Sequence, residues 1–272
     1  MSVYVVTGVS RGIGWEFLKQ LSENPADLFV GIVRNKPATV DRVKSELSGR
    51  SNIHIVEGDL ASYASLKKAA AEVESIVGDR GIDYIVANGG LVSEFDAFGP
   101  IGALADKPEV LEAGAIELLK INVLGNIHLF NLLIHLVKKG KAKKVITISS
   151  GVGDVDFTNE IDNTGGALYA ASKAQMNLVV AKFSTQYKPE GILFMSISPG
   201  LVEVGRYKNI SPEQMKGMGG FIQKLVAYAP HFKGPISTEE SVKCVRATWE
   251  KASIENGSAG AFVSHNGDKK WV

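Results

Sequence analysis

Tyr169 and Lys173 stand four residues apart in YAASK, and Ser149-Ser150 precede them at the end of an apolar run. On a helix that spacing puts phenol and ammonium on one face. A free tyrosine titrates near about 10, too high for easy proton exchange at neutrality, whereas a neighbouring ammonium and a cationic cofactor ring would favour the phenolate. The chemistry on offer is acid-base. Lys173 would tune Tyr169, a serine hydroxyl would hold a carbonyl oxygen, and the phenol would donate a proton as a hydride reaches the carbon. The bare pattern is not selective, because Tyr63 and Lys67 repeat it. That second pair follows the third apolar run with no strand-end serine before it, and reads as the surface of an amphipathic helix.

A hydride needs a donor, and the first apolar run ends in TGVSRGIG, with Gly8, Gly12 and Gly14 framing Ser10, Arg11 and Ile13. Glycine at a strand-to-helix turn lets a pyrophosphate approach the backbone, and the open N–H groups and positive end of the next helix bind its oxygens. This is the signature of a dinucleotide site. The second run ends at Val33, where an NAD-binding chain would place an acid on the ribose 2′-hydroxyl; here Arg34 and Asn35 follow instead. Arg34 with Arg11 would make a two-guanidinium clamp for a 2′-phosphate, which favours NADP(H). Asp59 and Leu60, in EGDL, end the third run. The Asp59 carboxylate suits either the adenine amino group or a helix cap. Asn88, Gly89 and Gly90, in ANGG, let backbone pass close beneath a cofactor.

These residues must be carried by a regular frame. Apolar runs of strand length recur at 3–6, 28–33, 53–56, 82–87, 145–148 and 192–197, without the alternation of a half-exposed strand. Such runs suit a parallel sheet covered on both faces. Amphipathic stretches at 12–22, 61–76, 110–138 and 167–187 lie between them, so the order is β-α-β-α and right-handed crossovers would build a doubly wound α/β fold. No repeat or linker divides residues 1–272, which read as one nucleotide-binding domain. The segment 203–234 differs in kind, with glycines, methionines, aromatic residues and basic residues following Ser198-Pro199-Gly200. It reads as a substrate-covering insertion or as a surface loop with a short helix.

Composition narrows the classes. With 30 Lys plus Arg against 29 Asp plus Glu, the net charge of +1 provides no global field for nucleic acid or anionic membrane. The stretch Leu129–Val137 is interrupted by Asn131 and His135, well short of the ~20 residues of a membrane span. Cys244 is the only cysteine, so neither an internal disulfide nor a paired-cysteine zinc site can form. His54, His128, His135, His231 and His265 show no ligand spacing, so no metal is expected. The chain opens directly into VYVVTG without a secretory leader, and the expected address is the cytoplasm.

Taken in order, TGVSRGIG, ANGG, Asn122 in KINVLGN, ISS, YAASK and SPG resemble the short-chain dehydrogenase/reductase family over essentially the whole chain. The resemblance implies a Rossmann-type sheet of about seven strands, ordered 3-2-1-4-5-6-7. It implies Tyr169 as catalytic acid/base, Lys173 as its partner and ribose ligand, Ser150 as the residue orienting substrate, and Asn122 as holder of a relay water. Gly8, Arg11, Gly12, Ile13, Gly14, Asp59, Asn88, Gly89 and Pro199-Gly200 match the family's cofactor positions, with Val202 just beyond them. A homodimer or homotetramer is implied as well, through the 110–138 and 167–187 helices. The long interval between Ser150 and Tyr169 and the ending GAFVSHNGDKKWV are similar to the carbonyl-reductase branch that includes the sniffer and C-factor proteins. Val204 departs from the family, many members of which have there a threonine that bonds the nicotinamide end.

The expected activity is NADPH-dependent reduction of a ketone or aldehyde. An NADP(H)-binding regulator without turnover and an epimerase or dehydratase on the same scaffold are the alternatives. Asp156, Asn159, Asp162, Tyr207, Met215, Met218 and Phe221 are candidates for the substrate wall.

Overall fold

The computed structural model describes residues 1–205 and 211–272; Tyr207, a candidate for the substrate wall, lies outside them. Strands β1 (Val3–Thr7), β2 (Leu28–Val33), β3 (Ile53–Glu57), β4 (Tyr84–Ala87), β5 (Lys144–Ile148), β6 (Leu193–Ser198) and β7 (Phe262–Ser264) form one sheet in the order β3-β2-β1-β4-β5-β6-β7. All its pairings are parallel, as the uninterrupted apolar runs require. The helices of the first half are α1 (Gly12–Leu21), α2 (Lys36–Glu46), α3 (Tyr63–Val77), α4 (Pro108–Leu118) and α5 (Gly125–Lys139). The second half adds α6 (Val155–Glu160), α7 (Ala167–Tyr187), α8 (Pro212–Tyr228) and α9 (Thr238–Lys251).

Alternate strand residues serve opposite faces. Val5, Val30, Ile85, Val145 and Phe194 pack beneath Leu66, Val73, Phe130, Leu133 and Val180 of α3, α5 and α7. Their neighbours Val6, Phe29, Val86, Ile146 and Met195 pack against Phe17 and Leu18 of α1 and Val245 and Trp249 of α9. Each large aliphatic or aromatic side chain so buried contributes about 1.5–3 kcal/mol, which is what fixes the two layers to the sheet. The chain reverses its strand order between β1 and β4, so the crevice for a ligand opens at the carboxyl ends of these two strands.

Helices α2, α6 and α9 lie outside the stretches read from the sequence, and two further segments differ from that reading. The stretch expected as one helix over 110–138 is α4 and α5 joined by a π-helical turn at Leu119–Leu124. The continuous run Pro108–Lys139 has 32 residues and is long and apolar enough, by length and composition, to cross a membrane. Half of its most apolar window is nevertheless buried inside the protein, where Leu129, Phe130, Leu133, Leu136 and Val137 face the sheet. The second difference is α8, a full helix within 203–234. It is started by Ser211 and Gln214, whose side chains reciprocally bond each other's backbone N–H.

Candidate active site

The turn after β1 is built by close approach. Gly8 sits at φ 74°, the left-handed region that glycine occupies without strain, and its N–H donates to the Ile32 carbonyl at 2.8 Å. Asn88 Nδ2 donates across the strand reversal to the carbonyls of Thr7 and Gly8 at 3.0 and 3.3 Å, and the Gly89 N–H donates to Thr7 Oγ1 at 2.9 Å. At Gly14 an added Cβ would lie 2.1 Å from the Gly8 carbonyl oxygen, so the helix can begin this close to the strand only with glycine there. The first turn of α1 contains no acid and receives no side-chain cap, leaving its N–H groups and positive dipole end for an anion. These residues fit a dinucleotide pyrophosphate.

Around this turn, Arg11 and Arg34 are both exposed and neither forms an ion pair among the described residues. Asn35 is occupied differently from the expectation. Its side chain caps α2 by accepting from the Ala38 N–H at 3.1 Å, and its carbonyl accepts from the Thr39 N–H at 3.3 Å and from Thr39 Oγ1 at 3.0 Å. Asp59 Oδ1 accepts from the Ala61 N–H at 2.9 Å and holds the turn, whereas the cap of α3 is Ser62. Leu60 is a packing wedge, with its carbonyl against Gly125 and its methyl against Gly89. Sequence reasoning missed Arg42. Its guanidinium lies 3.8 Å above the Trp15 ring, donates to the Ser10 carbonyl at 3.0 Å and pairs with Glu46 at 2.8 Å, bracing the loop. An arginine within a polar helix carries no signal of that contact.

The candidate acid-base residues converge at the end of β5. Lys173 is 8% exposed and donates from Nζ to the Ile148 carbonyl at 2.8 Å, and its ammonium lies 5.7 Å from the centre of the Tyr169 ring. Burial pushes its pKa down to about 8. The two serines part ways here. Ser149 is buried and its Oγ donates to Asn177 Oδ1 at 2.7 Å, whereas Ser150 lies half-buried on the cavity wall. Asn122, within the π turn, is clamped on three sides. Its Oδ1 accepts from the Leu91 N–H at 2.7 Å, and its Nδ2 donates to the Leu91 carbonyl at 2.8 Å and to Ser172 Oγ at 3.0 Å. The Asn122 carbonyl accepts from Asn126 Nδ2 at 2.8 Å.

Beyond β6, the Pro199 carbonyl accepts from Ser241 Oγ at 2.7 Å. Gly200, at φ 82°, presses on the buried His265 ring, whose pKa burial drives down. Val202 pairs with Ile236 in a short parallel bridge. Val204 Cγ1 lies 3.5 Å from where a Cβ on Gly12 would stand, so the valine found in place of threonine covers the phosphate loop with a methyl group.

Tyr169, Ser150, Ile13, Pro199, Gly200 and Val202 line a single cavity of ≈ 440 Å³. Its far wall is aromatic, with Phe98, Phe157, Phe221 and Trp271. Trp271 stacks on Phe262 with ring centres 4.4 Å apart and packs on Gly151 just after β5. Of the candidates for this wall, Phe221 takes its place, Asn163 and Thr164 stand where Asp156, Asn159 and Asp162 were expected, and Met215 and Met218 lie elsewhere. Phe98 and Trp271 belong to aperiodic segments, where sequence offers no phase from which to infer their side. Among the described residues, no three His, Cys, Asp or Glu side chains gather as a metal site would need.

Residues 2–215 match the family of short chain dehydrogenases. The chain belongs to the short-chain dehydrogenase/reductase family. It is 62% identical over 272 residues to the short-chain dehydrogenase/reductase iacC of Pestalotiopsis fici, covering all of both chains. It is 50% identical, again over both full lengths, to the short chain dehydrogenase virK of Hypocrea virens. Among solved structures, the carbonyl reductase Sniffer of D. melanogaster shares the fold at a TM-score of 0.77 and 23% identity, with 98% of each chain covered. An NADPH-bound carbonyl reductase from chicken fatty liver does so at 0.77 and 22%, also with 98% of each covered. A short-chain dehydrogenase is an oxidoreductase that uses a nicotinamide dinucleotide, in keeping with the chemistry of the turn after β1.

Proposed function

We propose that this short-chain dehydrogenase is an NADPH-dependent carbonyl reductase for ketones or aldehydes with an apolar body. The observation that carries the proposal is the placing of Tyr169 and Ser150 on the wall of an apolar, aromatic-lined cavity, with the buried Lys173 ammonium 5.7 Å from the tyrosine ring. Gly8, Ser10, Arg11, Gly12, Ile13 and Gly14 would hold the pyrophosphate, Arg34 with Arg11 the 2′-phosphate, and Asp59 and Leu60 the adenine side. Asn88 and Gly89 would lie beneath the cofactor, with Pro199, Gly200 and Val202 at the nicotinamide end. The absence of an acid after β2 and the two arginines, which form no ion pair among the described residues, support NADP(H) over NAD(H). Bound there, the reduced dinucleotide supplies the hydride for the carbonyl carbon.

The protein supplies the proton and the geometry. Ser150 Oγ donates a hydrogen bond to the substrate oxygen, and Tyr169 Oη delivers the proton as negative charge develops there. Lys173 stabilises the resulting phenolate. Its Nζ carries three N–H donors, one of them used on Ile148, so others remain for a ribose hydroxyl. Asn122 fixes Leu91 and the α7 residue Ser172, and we assign to its carbonyl the water of the relay. Helix α8 covers the cavity through Gly217, Gly220, Phe221 and Leu225.

The same proposal makes the protein a cytoplasmic homodimer or homotetramer. The lone Cys244 supports the compartment, and Ile116 and Leu178, exposed by 63% and 62% on α4 and α7, support the assembly. The test is nicotinamide oxidation, with NADPH and with NADH, against diketones, quinones, aromatic ketones and aldehydes. Turnover preferring NADPH is expected. Tight NADPH binding with no turnover of any carbonyl would favour the regulator, and turnover without net cofactor oxidation would favour an epimerase or dehydratase.

A further inference from the structure

We propose that Asp96 is a positioning residue for Tyr169, capping the catalytic helix α7 from outside it. The helix supplies no cap of its own, because its N-cap is Gly166 in a left-handed conformation at φ 65°. Asp96, which is 3% exposed, provides the missing acceptors from the loop between β4 and α4. Its Oδ2 accepts from the Leu168 N–H at 3.0 Å and its carbonyl accepts from the Gly166 N–H at 2.8 Å. Tyr169 is the next residue. Ser93 Oγ donates to the other carboxylate oxygen, so both oxygens of this buried charge are satisfied. The positive end of a 21-residue helix accounts for the remaining compensation.

The loop carrying Asp96 is stitched to α7 and to the cavity's cover. Pro100 bridges Gly165 in an antiparallel pair, and a Cβ on Gly165 would meet the Ala97 carbonyl at 3.1 Å. On its other side, Glu94 accepts at its carbonyl from Gln214 Nε2 of α8 at 3.1 Å, and Phe98 fills the space against Gly217. Asp96 therefore joins the segment that seats α8 to the helical turn that presents the phenol. Lys173 lies one turn further along and is held independently by the Ile148 carbonyl. Loss of Asp96 loosens the turn bearing Tyr169 while leaving the ammonium in place, and so separates the two groups whose proximity the chemistry requires.

This inference rests on Tyr169 as the proton donor, and two independent measurements test it. With Asp96→Ala, kcat falls by about 10²-fold, the scale of a misplaced reacting group, with KM and Kd for NADPH unchanged. Asp96→Asn, which keeps an acceptor for Leu168 and can reverse the bond to Ser93, retains most of the activity. Asp96→Glu, which keeps the charge but shifts it, loses activity as Asp96→Ala does. Amide hydrogen exchange at residues 167–171 accelerates in the alanine and glutamate variants alone, and the remainder of α7 stays protected. Wild-type kcat and exchange in both Asp96→Ala and Asp96→Glu overturn the assignment. So does an asparagine variant as impaired as the alanine one, which would make charge the cause. If the wild-type protein reduces no carbonyl, the exchange data still decide the cap, and only the proposed activity fails.

Discussion

Two Tyr-x-x-x-Lys pairs of identical spacing sit on helices α3 and α7, and the structure gives them opposite surroundings. Tyr63 is 52% exposed, opens α3 and meets the edge of His128 at 4.9 Å, while Lys67 projects into solvent. Lys173 is buried against a strand end beside Tyr169, and Tyr169 lines the cavity. Spacing brings two side chains to one face in both cases. What differs is desolvation: an ammonium in water exerts little force on a phenol, and one removed from water exerts much more. In the proposed mechanism it is burial next to a strand terminus, rather than the motif, that turns a helix surface into acid-base machinery.

The sharpest way to break this contrast is removal of the Tyr169 hydroxyl. Tyr169→Phe is expected to lower kcat by about 10²–10⁴-fold, the usual worth of a positioned proton donor. NADPH binding measured by fluorescence should be retained, and a fully active variant would sink the assignment.

Lys173→Met comes next. Turnover should be lost, while the pH dependence of stability reports the burial. The folded protein holds this ammonium at about 8, below its ordinary 10.5, so the unfolded chain binds the proton more readily between those values. Stability of the cofactor-free protein should therefore rise as pH goes from about 8 to about 10.4, by an amount on the order of 3 kcal/mol from this group. Urea melts of Lys173→Met should lack that rise, whereas melts of Lys67→Met should keep it.

The same division between exposed and engaged groups separates Arg34 from Arg42. Arg34→Asp should shift the ratio of kcat/KM for NADPH to that for NADH by roughly tenfold or more, the worth of a charge-assisted bond to a phosphate. An unchanged ratio would show that Arg34 does not read the 2′-phosphate. The smallest effect belongs to α3. Ser62→Ala removes the cap on the Ser65 N–H and should lower unfolding free energy by about 1 kcal/mol, with kcat unaltered.

The central sheet was legible because β1, β2, β4, β5 and β6 are largely buried on both faces and write themselves as unbroken apolar runs. Strand order came from the family resemblance, and the structure bears it out. The glycine turn, ISS and YAASK were legible for a different reason: each is a contiguous run whose residue types and spacing can be read without its distant partners, Ile32 and Asn88 for the turn, Asn177 for Ser149 and Ile148 for Lys173. Helix α2 escaped notice because Thr39 is its one fully buried residue, so it carries almost no apolar phase. The cavity's far wall was illegible in a different way. Phe98, Phe157 and Trp271 come together from a loop, the short helix α6 and the tail, and the substrate candidates chosen by residue type alone were largely displaced by their neighbours Asn163 and Thr164. Asp96 shows the same limit, since its partners Gly166 and Leu168 are remote in sequence and joined by backbone bonds that no side-chain pattern announces.

The π turn at Leu119–Leu124 imposes a counting rule on the chain. A regular α-helix advances about 100° per residue, and a turn closed from i to i+5 inserts one residue's worth of rotation into an otherwise straight rod. Upstream and downstream of it, α4 and α5 are thereby indexed differently around a common axis. Removing one residue within 119–124 would restore regular winding. Either Asn122 would then swing away from Leu91 and Ser172, or the stripe Leu129, Phe130, Leu133, Leu136 and Val137 would turn off the sheet. A regular rod cannot satisfy both. The length of this segment is thus set as strictly as the identity of the asparagine within it.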